Sequence, residues 1–464
     1  MSVWKVTAML SSIATMVMYA ETMLIPAIPD LIADFDISYG TSSWILSVYL
    51  ISGAVMTPIC GKLSDMYGKK KMLLIIMIIY TAGVAAGGFA NNIYLLLAVR
   101  AVQGLGISMF PIAFGVVREQ FPKERIAVGQ GIITSMFAAG AVIGLVAGGN
   151  IIEMFGWQAT FFSILPVAIA LLIVISKYIH ADASMQESIK NIDVRGAATL
   201  AAAIVSFLLA LTYLEGGSTT ATVLGFFAMT GISLALFIIV ERKAASPLVN
   251  FKLMLHRTIL PANIMIMIVG LSMFMVFQTV PVLVRSPVPS GFGESVVSTA
   301  HVQLPFALVL LVFGPTSGFI ISRLGSLKPI IGGSVISALG FFSLVFFHSS
   351  EMTVSLNLAV IATGLSLTNV GVMNVLIFST PKEHSGTVFG MSSLIRIVGS
   401  SIGPALAGMY MQANQSRINV QGVIASFPSP ESYTLIFITA AVLSLVSVAL
   451  SILLRSRAYA MKIE

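Results

Sequence analysis

The chain is 464 residues long, with 57% hydrophobic and 9% charged residues, a mean hydropathy of +0.99 and a formal net charge of +7. Soluble domains carry about 25% charged residues, so an ordinary cytosolic enzyme, a disordered chain and a fibrous one are excluded. A polytopic membrane protein remains, with room for about 12 to 14 helices at roughly 20 apolar residues each.

Apolar runs long enough to span fall near residues 6–28, 42–60, 72–90, 93–117, 128–152, 159–179 and 196–214. They continue near 221–240, 258–284, 300–321, 329–348, 354–380, 387–411 and 433–454. The runs are continuous rather than alternating, which predicts helices that satisfy their own backbone hydrogen bonds in lipid. The first run has no A-x-A cleavage pattern and is read as a retained span. Cys60 is the single cysteine, and the five histidines have no metal-ligand spacing, so no disulfide framework, metal or cofactor is expected.

Placing the N-terminus in the cytoplasm puts 21 of the 25 Lys and Arg residues inside, with Arg285 and Arg417 outside and Arg100 and Arg396 within spans. This bias predicts an even span count with both termini inside. It also accounts for the positive charge without nucleic acid. The expected partner is the lipid bilayer, and the expected state is a monomer in the cell membrane.

The two ends of the chain repeat each other. Gly61-Lys62-Leu63-Ser64-Asp65-Met66-Tyr67-Gly68 after the second span parallels Gly318-Phe319-Ile320-Ile321-Ser322-Arg323-Leu324-Gly325 after the tenth, at an offset of 257. Gly140 and Gly144 in the fifth span parallel Gly399 and Gly403 in the thirteenth, at an offset of 259. Near-equal offsets imply two six-helix bundles, over 1–180 and 258–464, with a two-helix pair inserted over 181–257. Transporters are often built from such repeats, with the substrate site between them.

Local patterns then carry a resemblance. Gly61 to Lys71 matches G-x-L-[AS]-D-x-x-G-[RK]-[RK], and Arg100-Ala101-Val102-Gln103-Gly104-Leu105-Gly106 matches R-x-x-Q-G-x-G. Ala27-Ile28-Pro29 resembles the A-L-P end of a first span. Gly140, Gly144, Gly148 and Gly149 follow G-x-x-x-G-P-x-x-G-G, with Leu145 in place of the proline. The chain resembles the major facilitator superfamily, and within it the fourteen-helix drug:proton antiporters. The implied fold is all-α, with fourteen spans and both termini inside.

The resemblance also implies roles. Asp65, a carboxylate at a helix end suited to capping, would hold the start of the thirteenth span near Ser385 and Gly386 as a conformational gate. Gly61 would permit close helix approach and Gly68 a tight turn, with Lys69 and Arg118 as basic partners. The glycines of the fifth span would pack closely against the other bundle, and Gly399, Gly403 and Pro404 form the matching set in the thirteenth.

Glu21 is the acidic residue well inside a span, at a depth shared with Arg100. For Glu21 two roles are open, proton or cation coupling and a purely structural ion pair; for Arg100 the resemblance implies a part in proton transfer, and the alternative is a structural arginine bonded to carbonyls. In many similar exporters the acid stands one position earlier, where this chain has Ala20. Arg396 would attract an anionic substrate or a carboxylate. Spans 1, 4, 9 and 12 would line the cavity, with Tyr19, Gln103, Phe277, Gln278, Asn369, Asn374 and Arg396 as substrate-facing candidates among methionines suited to varied apolar ligands.

No G-x-x-x-x-G-K-[ST] loop occurs, so no ATPase engine is expected. No Ser-His-Asp grouping or buried acid cluster supports an enzyme. The leading expectation is export of amphipathic drug-like molecules in exchange for protons by alternating access, driven by the proton gradient. A symporter or facilitator for a small metabolite is the alternative, motivated by Leu145.

Overall fold

The computed structural model describes residues 3–178, 193–215, 219–244, 247–379, 385–420 and 423–460. Fourteen of its helical segments are long and apolar enough to cross a membrane. The first span is broken. Helix α1 (Val3–Thr22) gives way to a short 3-10 turn (Ile25–Ala27) and then α2 (Ile28–Phe35). Pro26 and Pro29 explain the break, since neither can donate to the preceding turn.

Helix α3 (Tyr39–Tyr67) starts at Ser38, whose Oγ accepts from the Thr41 amide. It ends at Gly68, whose φ of 91° lets α4 (Lys69–Gly87) begin at once. Asn92 caps α5 (Ile93–Gly104), and the span continues through a 3-10 turn (Leu105–Ser108) into α6 (Met109–Gln120). Helices α7 (Lys123–Phe155) and α8 (Gln158–Tyr178) complete the first bundle.

The inserted pair is α9 (Val194–Glu215) and α10 (Thr220–Lys243). The short α11 (Phe251–Met254) leads into the second bundle: α12 (Ile259–Arg285), α13 (Val296–Leu324), α14 (Leu327–Phe346), α15 (Glu351–Phe378), α16 (Ser385–Ala413) and α17 (Pro430–Ala460). Gly325 between α13 and α14 has φ 69°, the counterpart of Gly68 in the repeat. Between α16 and α17 an antiparallel hairpin forms from β1 (Gln415–Val420) and β2 (Val423–Pro428), pairing Gln415 with Pro428.

The repeat is visible in the packing. A Cβ at Gly140, Gly144 or Gly148 of α7 would meet the carbonyl oxygens of Thr15 and Tyr19 in α1 and of Met23 just beyond it. A Cβ at Gly399 or Gly403 of α16 would meet those of Met267 and Leu271 in α12. Small residues here let the backbones approach closely. The fifth span of each bundle thus rides on the first span of its own bundle, which corrects the expectation that the ridge of α7 faces the other bundle. Of that set only Gly149 meets the second bundle, at Ala300 of α13. Leu145, in the place of the motif proline, is buried in the apolar cluster that also holds Phe274, Phe277 and Phe306.

Between the bundles the main seams are α3 against α16 and α13 against α7. The inserted pair is unequal. Helix α10 is largely exposed, whereas α9 packs on both α3 and α16. Trp44 Nε1 donates to Thr212 Oγ1 at 3.0 Å, and Leu200, Ile204, Leu208 and Leu211 share a cluster with Ile51 and Leu394. The pair therefore braces the seam through α9. Glu241, at the end of α10, is buried and accepts from the Val249 amide at 3.0 Å.

Candidate functional site

The break in the first span creates the central polar site. The last carbonyls of α1 have no partner farther along the helix. Arg100 supplies one: Nη1 donates to Ala20 O at 2.8 Å and Nη2 to Glu21 O at 3.4 Å. Its Nε reaches Ile45 O at 3.1 Å, Nη1 also reaches Gln103 Oε1 at 3.2 Å, and the guanidinium lies 4.5 Å from the centre of the Tyr49 ring. Arg100 is fully buried. A charge in that position is tolerable only because five directed contacts replace water. Of the two roles the sequence leaves open, the carbonyl-bonded one is what the hydrogen bonds display.

Glu21 is thereby left with its carboxylate free of Arg100's donors. Among the described residues no hydrogen bond reaches its side chain. Its carboxylate feels the positive charge of Arg396 and then that of Arg100. Arg396 lies in α16, so the attraction runs from the first bundle to the second. Arg396 in turn feels Glu21 as its charged partner.

A second polar set closes the seam at one end of the molecule. Arg285, at the end of α12, holds Asp30 of α2 through both guanidinium nitrogens, Nη1 at 3.2 Å from Oδ2 and Nη2 on Oδ1. Glu153 of α7 accepts from the Val296 amide at 3.0 Å, placing a carboxylate on the first turn of α13. Ser47 Oγ donates to Ser401 O at 2.7 Å, Gln278 Nε2 to Ser42 Oγ at 2.9 Å, and the Tyr39 amide to Gln412 Oε1 at 3.1 Å. A cavity of about 420 Å³ flanks this closure, lined by Asp30, Asp34, Glu153, Trp157, Arg285 and Glu294 among others. Asp30 and Glu153 were not singled out from sequence. The available signal was Arg285 itself, one of the two cations that the sequence assigns to the outer side.

The remaining candidates divide. Gln278 sits in the seam, and Gln103 beside Arg100. Asn369 has a buried, unpartnered Oδ1. Tyr19 instead turns its hydroxyl to Ser163 of α8 at 2.7 Å, inside the first bundle. Phe277 is fully buried between Phe274 and Phe306, each 5.4 Å away between ring centres, and is core rather than cavity wall. Asn374 accepts from Ser326 at the α14 start, near the Gly325 turn, far from the Arg100 layer. Both are corrections: an aromatic or amide in a span reads alike from sequence whether it faces a ligand or a neighbouring helix.

The gate expectation rests on the side chains of Asp65, Arg118 and Ser385, which lie outside the described residues. Gly68 does make the expected turn. Gly61 does not mark a close approach, because a Cβ there would meet nothing within 4 Å. The Lys69 side chain lies over Gly115 of α6. Pro404 is buried within α16, one residue after Gly403.

The comparisons with known proteins agree with this architecture. The chain is 28% identical over 404 residues to the multidrug transporter protein MdtP of Bacillus subtilis, covering 86% of this chain and 73% of that protein. It is 29% identical over 406 residues to the tetracenomycin C resistance and export protein of Streptomyces glaucescens, covering 85% and 73%. Among solved structures, the human organic anion transporter MFSD10 superposes with a TM-score of 0.65 at 14% identity, over 97% of this chain and all of that one. The family model of the Major Facilitator Superfamily matches residues 10–404. With fourteen spans, paired glycine ridges in a repeated bundle and a polar layer between the halves, the chain belongs to the Major Facilitator Superfamily, a family of transporters built as multi-pass integral membrane proteins.

Proposed function

We propose that the protein exports amphipathic drug-like molecules in exchange for protons, by alternating exposure of the layer around Glu21, Arg100 and Arg396. Relatives named as multidrug and drug-export proteins support the substrate class. The observation that carries the coupling is the position of Glu21: a buried carboxylate on the first bundle whose leading charge partner, Arg396, belongs to the second.

In its charged form Glu21 attracts Arg396 and favours the arrangement that keeps the bundles together at this level. Taking up a proton removes that attraction. A ligand shifts a two-state equilibrium only by its differential affinity for the two states, and both a proton and a cationic substrate satisfy this by acting on the same carboxylate. They therefore compete, and release of one accompanies binding of the other. Arg100 fixes the backbone that carries Glu21 and stays charged throughout. The Asp30–Arg285 and Glu153–Val296 contacts close one end, and must part for the opposite-facing state. By the lysine and arginine bias this end is the outer one.

The test is Glu21→Gln in proteoliposomes with an imposed pH gradient. Gradient-driven accumulation of a cationic dye is expected to be lost, while counterflow exchange of the dye persists. Accumulation that continues unchanged across several pH values sinks the coupling role. Indifference of the unaltered protein to the gradient would favour the facilitator reading that Leu145 motivates.

A further inference from the structure

The layer contains one group that neither packing nor the arginine network explains. Gln303 of α13 is fully buried, and both its Oε1 and its Nε2 lack a hydrogen-bond partner. Among the described residues it is the only side-chain amide with both polar atoms buried and unpartnered; Gln103, Gln278 and Asn263 each keep a partner at the other end. Burying a complete amide without partners is unfavourable, and a leucine or methionine of similar volume would avoid that cost. An orphaned buried amide therefore asks for an occupant.

Its position says where the occupant sits. On α13, Val296 and Ala300 face Gly149 of α7, and Gln303 continues that face by one turn. One turn back along α7 from Gly149 stands Leu145, and beside it Gly144, whose missing Cβ would meet Tyr19 and Thr22 on either side of Glu21. Gln303 thus lies on the seam at the level of Glu21. It stands seven residues from the start of α13, as Gln278 stands seven from the end of α12 and Arg100 seven from the start of α5. At about 1.5 Å per residue all three lie roughly 10 Å below the same end. Gln278 brings a second orphaned atom, its Oε1, to this depth.

We propose that Gln303 is a substrate-contacting residue of the transport path, and that its amide selects ligands offering an adjacent donor and acceptor, such as a carboxamide or a hydroxy-ketone. Gln278 Oε1 would accept a further donor from the same ligand. Selection by a buried amide is steep, because a ligand lacking the matching groups leaves the amide orphaned. Organic cations without hydrogen-bonding groups would be held by Glu21 and the apolar surroundings, and would be insensitive to Gln303.

This assignment rests on the drug-export reading, and its test separates the two. Binding of tetracycline, which carries a carboxamide and hydroxy-ketones, and of tetraphenylphosphonium, which has no hydrogen-bonding group, is measured on the purified full chain. Gln303→Met is expected to weaken tetracycline binding tenfold or more, to leave tetraphenylphosphonium within twofold, and to keep the unfolding temperature at or above that of the unaltered protein. Gln303→Leu gives the same comparison should the methionine variant not fold. Equal losses for both probes, or no loss for either, would overturn the assignment by making Gln303 a packing residue. So would an unaltered protein that binds only the phosphonium. An unaltered protein that binds neither probe overturns the drug-export reading itself, and this assignment with it.

Discussion

Replacing Gly144 by alanine places a methyl group where α7 rides on α1. The new Cβ would lie 2.8 Å from the Tyr19 carbonyl oxygen and 3.1 Å from Tyr19 Cα, against an ordinary contact of 3.4 Å or more. Both atoms are backbone, so no rotamer change relieves the clash, and α1 must retreat by roughly 0.6 Å. Overpacking of this kind costs about 1–3 kcal/mol. The retreat carries a second cost, because the same stretch of α1 presents Ala20 O to Arg100 at 2.8 Å. Disturbing that bond would forfeit part of the ~1.5–3 kcal/mol that a charged donor contributes. Gly225→Ala and Gly231→Ala in α10 are the controls, since a Cβ at either position meets nothing within 4 Å. Thermal unfolding of the three purified variants is the assay. Gly144→Ala is expected to unfold well below the unaltered protein and both controls to match it. A Gly144→Ala variant indistinguishable from Gly231→Ala would refute the argument that α7 and α1 touch through backbone.

Further expectations follow from the polar contacts. Asp30→Asn and Arg285→Gln, combined in a double-mutant cycle, should give a coupling near the upper end of the ~0.2–1 kcal/mol found for partly exposed pairs. The coupling should shrink as salt is raised, and a salt-independent value would contradict the pairing. Trp44→Phe removes the hydrogen bond to Thr212 and should cost about 1 kcal/mol, loosening α9 from α3; unchanged protease protection of the inserted pair would speak against the brace. Glu241 Oε1 and Asp193 Oδ2 are buried facing each other beside Gly196. Glu241→Gln, which brings an N–H toward Asp193, should raise or preserve the unfolding temperature, while Glu241→Ala should lower it.

How much of this was legible in the chain follows from which properties are local. Whether twenty successive residues are apolar is a property of the segment alone, and so the spans were readable without a structure. The glycine spacing was readable for the same reason: Gly140 and Gly144 against Gly399 and Gly403 announced a repeat, and each ridge lies on the first helix of its own bundle. The break after Thr22 follows from Pro26 and Pro29. Pairing is not local. Arg100 read as one of two things, and only the fold brings the unpaired carbonyls of Ala20 and Glu21 to its guanidinium while leaving the Glu21 carboxylate to Arg396. Asp30 meets Arg285 across 255 residues of sequence. Asn374 and Gln303 are both amides in spans, yet one is partnered by Ser326 and the other by none of the described residues. Apolarity is written in each residue, but the satisfaction of a buried polar atom depends on atoms from other helices, and those the tertiary structure alone supplies.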